Sequence, residues 1–144
     1  MEPNKKYLLF RVGEVNYAVS TADVREIVTG ISLYTVPFVP RWIRGVLNRH
    51  GEPYTVLDIG VLAGGEPLQA DSCILLNRAD DQIAVLIQSV VEFVEADPLD
   101  MHRISSPDEE TAWFSGSLAV DGREVMILDI DRILGKMADD VRTA

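Results

Sequence analysis

Short apolar runs separated by turn-forming residues recur along the whole chain. The runs LLFRV (8–12), NYAVS (16–20), CILLN (73–77) and IAVLI (83–87) are rich in the leucine, β-branched and aromatic residues typical of strands. The polar segments GEVN and ADDQ, which lie between consecutive runs, favour tight turns. The pattern therefore predicts β-hairpins in both halves of the chain.

The chain also contains an internal repeat. Shifted by 71 positions, residues 45–64 fall on residues 116–135 with seven identities in 20 positions. Shifted by 66 positions, residues 7–28 fall on residues 73–94. The seven identities are Gly45/Gly116, Leu47/Leu118, Gly51/Gly122, Leu57/Leu128, Asp58/Asp129, Ile59/Ile130 and Gly64/Gly135. Because sequence copies fold into copies of one structural unit, we predict two pseudo-equivalent β subdomains, each a small curved sheet or barrel.

Local signals place a turn or a helix at three points of this repeat. Asp121-Gly122 and His50-Gly51 occupy equivalent positions, and both favour a two-residue hairpin turn. A short helical turn is expected within residues 20–28, where Ser20 or Thr21 can cap it and apolar residues recur at helical spacing. Each copy is therefore predicted to run strand, hairpin, strand, short helical turn, loop, hairpin.

Length and charge narrow the class of protein. A chain of 144 residues is one domain's worth, and its single cysteine, Cys73, excludes an intrachain disulfide. No apolar run is long enough for a signal peptide or a membrane span, so we expect a soluble, cytoplasmic protein. The net charge of −10 argues against nucleic-acid binding. All of this charge lies in residues 67–144, which hold six basic and 16 acidic residues, whereas residues 1–66 hold seven of each.

One acid-free stretch stands out in the neutral half. Residues 27–51 contain three arginines, Arg41, Arg44 and Arg49, and no acidic residue. They are either three solvated side chains or a positive patch that faces an acidic partner.

Motifs for catalysis or cofactor binding are not found in the sequence. The two histidines, His50 and His102, lack the spacing of a metal site, and no phosphate-binding or nucleophile motif occurs, so no cofactor is predicted. Asp129 and Asp131 are the best candidates for an acid/base pair in a small enzyme. However, Asp129 repeats Asp58, and a carboxylate needed at both positions is better explained as a cap of the turn that follows it. A small-molecule sensor is a further alternative.

The repeat and its motifs resemble the CheW family, the coupling proteins of bacterial chemosensory arrays, from about Tyr7 to Leu134. YLLFRVGEVNYAVSTADVREIV is similar to the family's opening, and PFVPRWIRGVLNRHGEPYTVLDI is similar to its central signature. ILLNRADDQIAVLIQSVVEFV and LAVDGREVMILDIDRIL resemble its second half. The resemblance implies a mainly β, single CheW-like domain over 1–144 with short helices and two five-stranded β-barrel subdomains, about 15–66 and 78–131. Whether terminal segments cross between them is left open.

The resemblance also implies a function without catalysis. The chain would link the cytoplasmic tip of methyl-accepting chemoreceptors to the regulatory domain of a CheA-type histidine kinase, in the cytoplasm at membrane-associated receptor arrays and without membrane insertion. The pathway would serve flagellar chemotaxis or type IV pili. The residues that match the family's receptor groove are Val24, Glu26 and Ile27 on one side and Val90 and Phe93 on the other. Those that match its kinase-binding surface are Leu33, Pro53 and Tyr54.

One position departs from the family pattern, which reads G-V-x-N-x-R-G. Residues 45–51 read GVLNRHG, so His50 stands where arginine is expected and Arg49 comes one residue earlier. Three interpretations are open. His50 makes a weaker, pH-dependent receptor contact, Arg49 has taken over the contact through a shifted turn, or His50 merely fills the hairpin turn.

Overall fold

Two β-sheets make up most of the computed structural model, which describes residues 4–78, 81–104 and 112–143. The strands are β1 (Lys5–Val12), β2 (Val15–Ser20), β3 (Val24–Thr29), β4 (Ile43–Arg49), β5 (Glu52–Leu57), β6 (Ser72–Leu76), β7 (Ile83–Ile87), β8 (Ser89–Ala96), β9 (Met101–Arg103), β10 (Phe114–Val120) and β11 (Arg123–Leu128). The helices are α1 (Ile59–Leu62) and α2 (Ile130–Thr143). The predicted mainly β fold with short helices is thus confirmed, apart from the longer C-terminal helix.

Among the described residues, the strand ladder of neither sheet closes into a barrel. The six-stranded sheet has the order β8-β1-β2-β11-β10-β9, and the five-stranded sheet has the order β3-β6-β7-β5-β4. In the described residues, the backbone ladder therefore leaves β8 and β9 as the edges of one sheet and β3 and β4 as the edges of the other. The closed barrels implied by the resemblance are corrected to two open β subdomains.

The internal repeat is confirmed, with one exchange of hairpins between its copies. The β1–β2 hairpin of the first copy lies in the six-stranded sheet, and the equivalent β6–β7 hairpin of the second copy lies in the five-stranded sheet. The parallel pairings are equivalent as well, since Thr55 pairs with Ile83 and Met126 pairs with Tyr17. Each sheet therefore combines strands of both copies. The predicted subdomain ranges, 15–66 and 78–131, instead correspond to the two copies as they occur along the sequence.

Hairpin turns form at both positions that the sequence marked. His50 and Gly51 have φ angles of 54° and 80°, and Asp121 and Gly122 have φ angles of 49° and 76°. Positive φ at both central residues is what the two-residue type I′ turn requires. Both hairpin predictions are confirmed.

The predicted helical turn is shorter than expected. A 3₁₀ turn spans only Thr21–Asp23, and the Ser20 hydroxyl accepts a hydrogen bond from the amide of Ala22 at 3.3 Å. The chain is already a strand from Val24, because its β-branched residues pair with β6. The helical face predicted for this segment is therefore wrong, and its apolar residues lie on an edge strand.

Alternate residues of β1 serve two hydrophobic cores. Leu8 and Phe10 belong to the larger core, which holds residues of both sheets. Tyr7 and Leu9 point the other way and belong to a smaller core that also contains Leu118 and other residues of the six-stranded sheet. One face of β1 therefore packs toward the other sheet, and this orients the edge strand β8 beside it.

Candidate functional site

Four of the predicted receptor-binding residues occupy equivalent positions on two edge strands. Val24 and Ile27 lie on β3, and Val90 and Phe93 lie 66 positions later on β8. Their cross-strand neighbours are equivalent too, and neighbours directly across a ladder share one face of the sheet. The pairs are Val24 with Leu76, Ile27 with Ile74, Val90 with Phe10, and Phe93 with Leu8. These neighbours are buried in the larger core, which lies between the two sheets. All four residues therefore lie at the outer margin of the sheet faces that pack on this core.

These margins leave apolar surface open to solvent. Phe93 is 65% exposed, and Ile27 and Val90 are each 37% exposed, whereas Val24 is half-buried against the larger core. Single exposed apolar residues are ordinary on a protein surface, but here two matching pairs recur at equivalent positions of two edge strands, with both members of each pair on one face of the sheet. We call these two surfaces, Val24 with Ile27 and Val90 with Phe93, the apolar edges.

The predicted polar receptor residues Glu26 and Arg49 contact each other. Arg49 donates hydrogen bonds to both carboxylate oxygens of Glu26, at 3.5 Å from Nε to Oε2 and at a shorter distance from Nη2 to Oε1. Glu26 lies on β3 and Arg49 lies on β4, the opposite edges of the five-stranded sheet. Nearby, the Arg25 guanidinium donates to the Tyr54 hydroxyl at 3.1 Å, joining β3 to β5. The sheet therefore curls until side chains join its edges, although its backbone ladder stays open.

This ion pair shifts the titration of its own groups. The hydrogen bond from Arg49 lowers the pKa of Glu26 below its ordinary value of 4.5 and raises the pKa of Arg49. The thiol of Cys73 lies buried on the adjacent strand β6, and burial raises its pKa to about 11. Cys73 is therefore protonated and unreactive at neutral pH.

We expect Arg49→Ala to raise the pKa of Glu26 toward that of a free glutamate, because the charged form then loses its main hydrogen-bond donor. His50→Ala should have a much smaller effect, since His50 acts on Glu26 only through weaker electrostatic attraction. A lowered carboxylate pKa stabilises the folded chain above the unfolded value of about 4.5, and this stabilisation is lost as the pH falls through the folded value. An NMR titration of the Glu26 carboxyl group in the parent and both variants measures the shifts. Equal shifts in the two variants would contradict the assignment of Arg49 as the partner.

His50 lies in the β4–β5 turn, where its side chain is exposed. The turn is not shifted relative to its equivalent at Asp121, because both first central residues have closely similar positive φ angles. Arg49 instead precedes the turn as the last residue of β4 and reaches Glu26 from there. The structure thus places Arg49 as the charged residue beside β3 without a shifted turn, and a receptor contact of His50 or Arg49 stays a prediction.

The predicted kinase-binding residues differ in how deeply they are buried. Pro53 is exposed on β5 opposite Asn48, and Leu33 is half-buried in the loop before β4. Tyr54 is only 3% exposed, and its hydroxyl accepts the hydrogen bond from Arg25. The assignment of Tyr54 to this surface is therefore corrected, because its side chain lies in the core behind Pro53.

Sequence reasoning missed an exposed apolar segment in the loop between β3 and β4. Tyr34 forms an isolated bridge with Val46 on β4, with backbone hydrogen bonds of 2.8 and 2.9 Å, and its side chain is 69% exposed. Further along the same loop, Val36 is 37% exposed and Phe38 is 97% exposed. The signal was present in the sequence as the apolar residues Tyr34, Val36 and Phe38 around Pro37, in a segment where prolines interrupt regular strand pairing.

The carboxylates considered for acid/base chemistry have structural partners. Asp129 accepts a hydrogen bond from the amide of Arg132 at 3.2 Å, and its carboxylate lies 3.4 Å from the Arg132 side chain. Asp131 is 80% exposed and pairs with Arg78 at 3.2 Å. Both residues line one cavity, of about 400 Å³, but each is held by a different arginine. The predicted capping role of Asp129 is confirmed, and the enzyme alternative is not favoured.

Two further observations concern metal binding and membrane crossing. Across the described ranges, no group of three or more histidine, cysteine, aspartate or glutamate side chains is placed to hold a metal ion. Among the helices that the structure describes, neither is long and apolar enough to cross a membrane.

Comparison with protein families matches residues 6–137 of the chain to the CheW-like domain. The chemotaxis protein CheW of Rhizobium meliloti (strain 1021) is 23% identical over 134 residues, covering 90% of this chain and 86% of the relative. The chemotaxis protein CheW of Helicobacter pylori (strain ATCC 700392 / 26695) is 27% identical over 139 residues, covering 91% and 82%. The crystal structure of the scaffolding protein TtCheW from Thermoanaerobacter tengcongensis matches with a TM-score of 0.79 and 21% identity, covering 88% of this chain and 90% of the other. This last match shows the same fold over nearly the whole of both chains.

Proposed function

Because the chain belongs to the CheW-like domain family, we propose that it is a non-catalytic adaptor that couples chemoreceptors to a CheA-type histidine kinase in bacterial chemosensory signalling. It would act in the cytoplasm at membrane-associated receptor arrays. The observation that carries the proposal is the family match over residues 6–137, nearly the whole chain. The relatives named as chemotaxis proteins and the scaffolding protein of the same fold support it.

The apolar edges are the proposed receptor site. A receptor tip is helical, and an amphipathic helix docks by laying its apolar face against an apolar surface. Ile27 and Phe93 offer such a surface on equivalent strands of the two sheets. The Glu26–Arg49 pair borders it on β3, so polar receptor side chains would meet a carboxylate and a guanidinium that are each 35% exposed.

A different part of the five-stranded sheet is the proposed kinase site. Pro53 on β5 and Leu33 in the loop before β4 belong to the half of the chain that carries no net charge. An exposed apolar residue such as Pro53 is typical of the centre of a protein interface, and balanced charge around it does not repel a partner of either sign. Two separate surfaces on one rigid domain are what an adaptor needs in order to hold both partners at once.

The direct test is reconstitution from purified components. We expect the chain to bind a CheA-type regulatory domain and a receptor-tip fragment separately, and to bring both into one complex when all three are mixed. Size-exclusion chromatography with light scattering resolves the binary and ternary complexes. Absence of both binary complexes would refute the adaptor function, and measurable turnover of a substrate would revive the enzyme alternative.

Pro53→Asp is expected to weaken binding to the kinase regulatory domain by about 30-fold, or about 2 kcal/mol, because it places an unpaired charge in the contact. Pro53 is exposed, so the fold should tolerate the change. Val15→Asp is the matched control, since Val15 is 50% exposed on β2, outside this surface. Isothermal titration calorimetry measures the affinity of each variant for the regulatory domain. Unchanged affinity of Pro53→Asp would move the kinase contact elsewhere on the chain.

A further inference from the structure

Phe38 is the most exposed large apolar side chain in the described part of the structure. It is 97% exposed, next to Pro37 in the turn that precedes Pro40. Its φ angle is 62°, in the left-handed region that bulky residues rarely adopt. The phenyl ring therefore contributes almost nothing to the hydrophobic core, while its backbone occupies a strained conformation.

The conformation of this turn does not favour phenylalanine. A turn with proline at its first central position and positive φ at its second favours glycine or asparagine at the second. Phe38 follows Pro37 and holds that second position. Among the described residues, two other non-glycine residues have positive φ, His50 and Asp121, and both are polar residue types that tolerate this region within hairpin turns. Backbone strain without a packing benefit indicates a role outside the isolated chain.

The surroundings of Phe38 define the partner surface. Tyr34 and Val36 expose apolar surface in the same loop, and the exposed Arg41 follows it. No acidic residue occurs between Ile27 and Gly51, and of the three arginines there Arg44 pairs with Asp58 and Arg49 pairs with Glu26, so Arg41 is the charge that this segment presents beside the loop. A surface complementary to this loop would be an apolar pocket with a carboxylate at its rim to meet Arg41.

We propose that Phe38 is the aromatic anchor of the kinase contact and inserts into an apolar, acid-rimmed pocket of the kinase's regulatory domain. The inference rests on the proposed function and adds a residue that the family resemblance did not indicate. Leu33, already assigned to the kinase surface, lies in the same loop. Tyr34 in that loop bridges to Val46 on β4, and β4 pairs with the strand that carries Pro53. The loop that carries Phe38 and Leu33 is thus joined through β4 to the strand that carries Pro53.

Phe38→Gly separates binding from folding, because the two are expected to change in opposite directions. Glycine relieves the strain at positive φ, so the melting temperature should rise or stay unchanged. Removal of the ring should weaken binding to the kinase regulatory domain by about 10- to 30-fold, as for an aromatic hot spot. Phe38→Tyr should restore most of the affinity, since it keeps the ring. Leu99→Ala is the matched control, because Leu99 is 90% exposed in the acidic half of the chain and should leave kinase binding unchanged.

Calorimetry measures the affinity of the full chain, as parent and variants, for the isolated regulatory domain and for a receptor-tip fragment. If the parent chain binds the kinase and Phe38→Gly binds it equally well, the anchor is refuted while the adaptor function stands. If Phe38→Gly loses affinity for the receptor fragment or for a second copy of the chain instead, the assignment to the kinase is overturned. If the parent chain fails to bind the kinase, both the anchor and the kinase part of the proposed function fail.

Discussion

Replacing Asp58 with alanine is expected to lower the free energy of unfolding by about 3–5 kcal/mol, the range for breaking a buried ion pair by removing one partner. The Asp58 side chain is fully buried and accepts hydrogen bonds from Arg44 at 2.8 Å and from the amides of Leu68 at 2.8 Å and Val61 at 3.3 Å. The variant would leave these donors without that acceptor. Urea unfolding followed by tryptophan fluorescence measures the change.

Asp129→Ala is the control that the repeat itself provides. Asp129 occupies the equivalent position, and its backbone amide bonds the Trp113 carbonyl at 2.8 Å, as that of Asp58 bonds the Trp42 carbonyl. However, its side chain is 24% exposed and pairs with a more exposed arginine. Loss of a partly exposed cap typically costs about 1 kcal/mol. Equal losses in the two variants would show that burial and the Arg44 ion pair add nothing to the cap.

The sequence predicted the features that depend on neighbouring residues. The Asp121-Gly122 and His50-Gly51 turns could be identified because positive φ at two consecutive positions restricts the residue types. The caps at Asp58 and Asp129 could be identified because a carboxylate directly before an apolar helical turn can accept hydrogen bonds from the first amides of that turn. The two-unit organisation followed from the repeat, which is visible without knowledge of any contact.

The features that depend on distant contacts could not be predicted. The β1–β2 and β6–β7 hairpins have matching apolar patterns, so the sequence cannot tell within-copy pairing from exchange between copies. The Glu26–Arg49 pair joins opposite sheet edges, and only the curvature of the sheet brings them together. Tyr54 was assigned to the surface together with Pro53, although successive residues of a strand point to opposite faces. That alternation was the available signal for its burial.

Phe93→Asp and Ile27→Asp are each expected to weaken receptor binding by at least about 30-fold, or about 2 kcal/mol, since each places an unpaired charge where the receptor helix would lay its apolar face. The two residues hold equivalent positions on β8 and β3, so one helix that spans both apolar edges must lose affinity at either change. The proposed kinase surface lies around Pro53 and the loop before β4, so affinity for the regulatory domain should stay unchanged. Fluorescence anisotropy with a labelled receptor-tip fragment measures the first affinity, and calorimetry measures the second.

Exposure makes these positions better probes than Val24, which is half-buried in the larger core and would confound lost binding with lost stability. Phe93 is 65% exposed and Ile27 is 37% exposed, so a charge at either position remains hydrated in the free protein. Val15→Asp introduces the same charge at a position that is 50% exposed on β2 and serves as the control. If only one of the two variants loses receptor affinity, the receptor contacts a single sheet. If the kinase and the receptor lose affinity together, the two surfaces overlap, and the adaptor cannot hold both partners by separate faces.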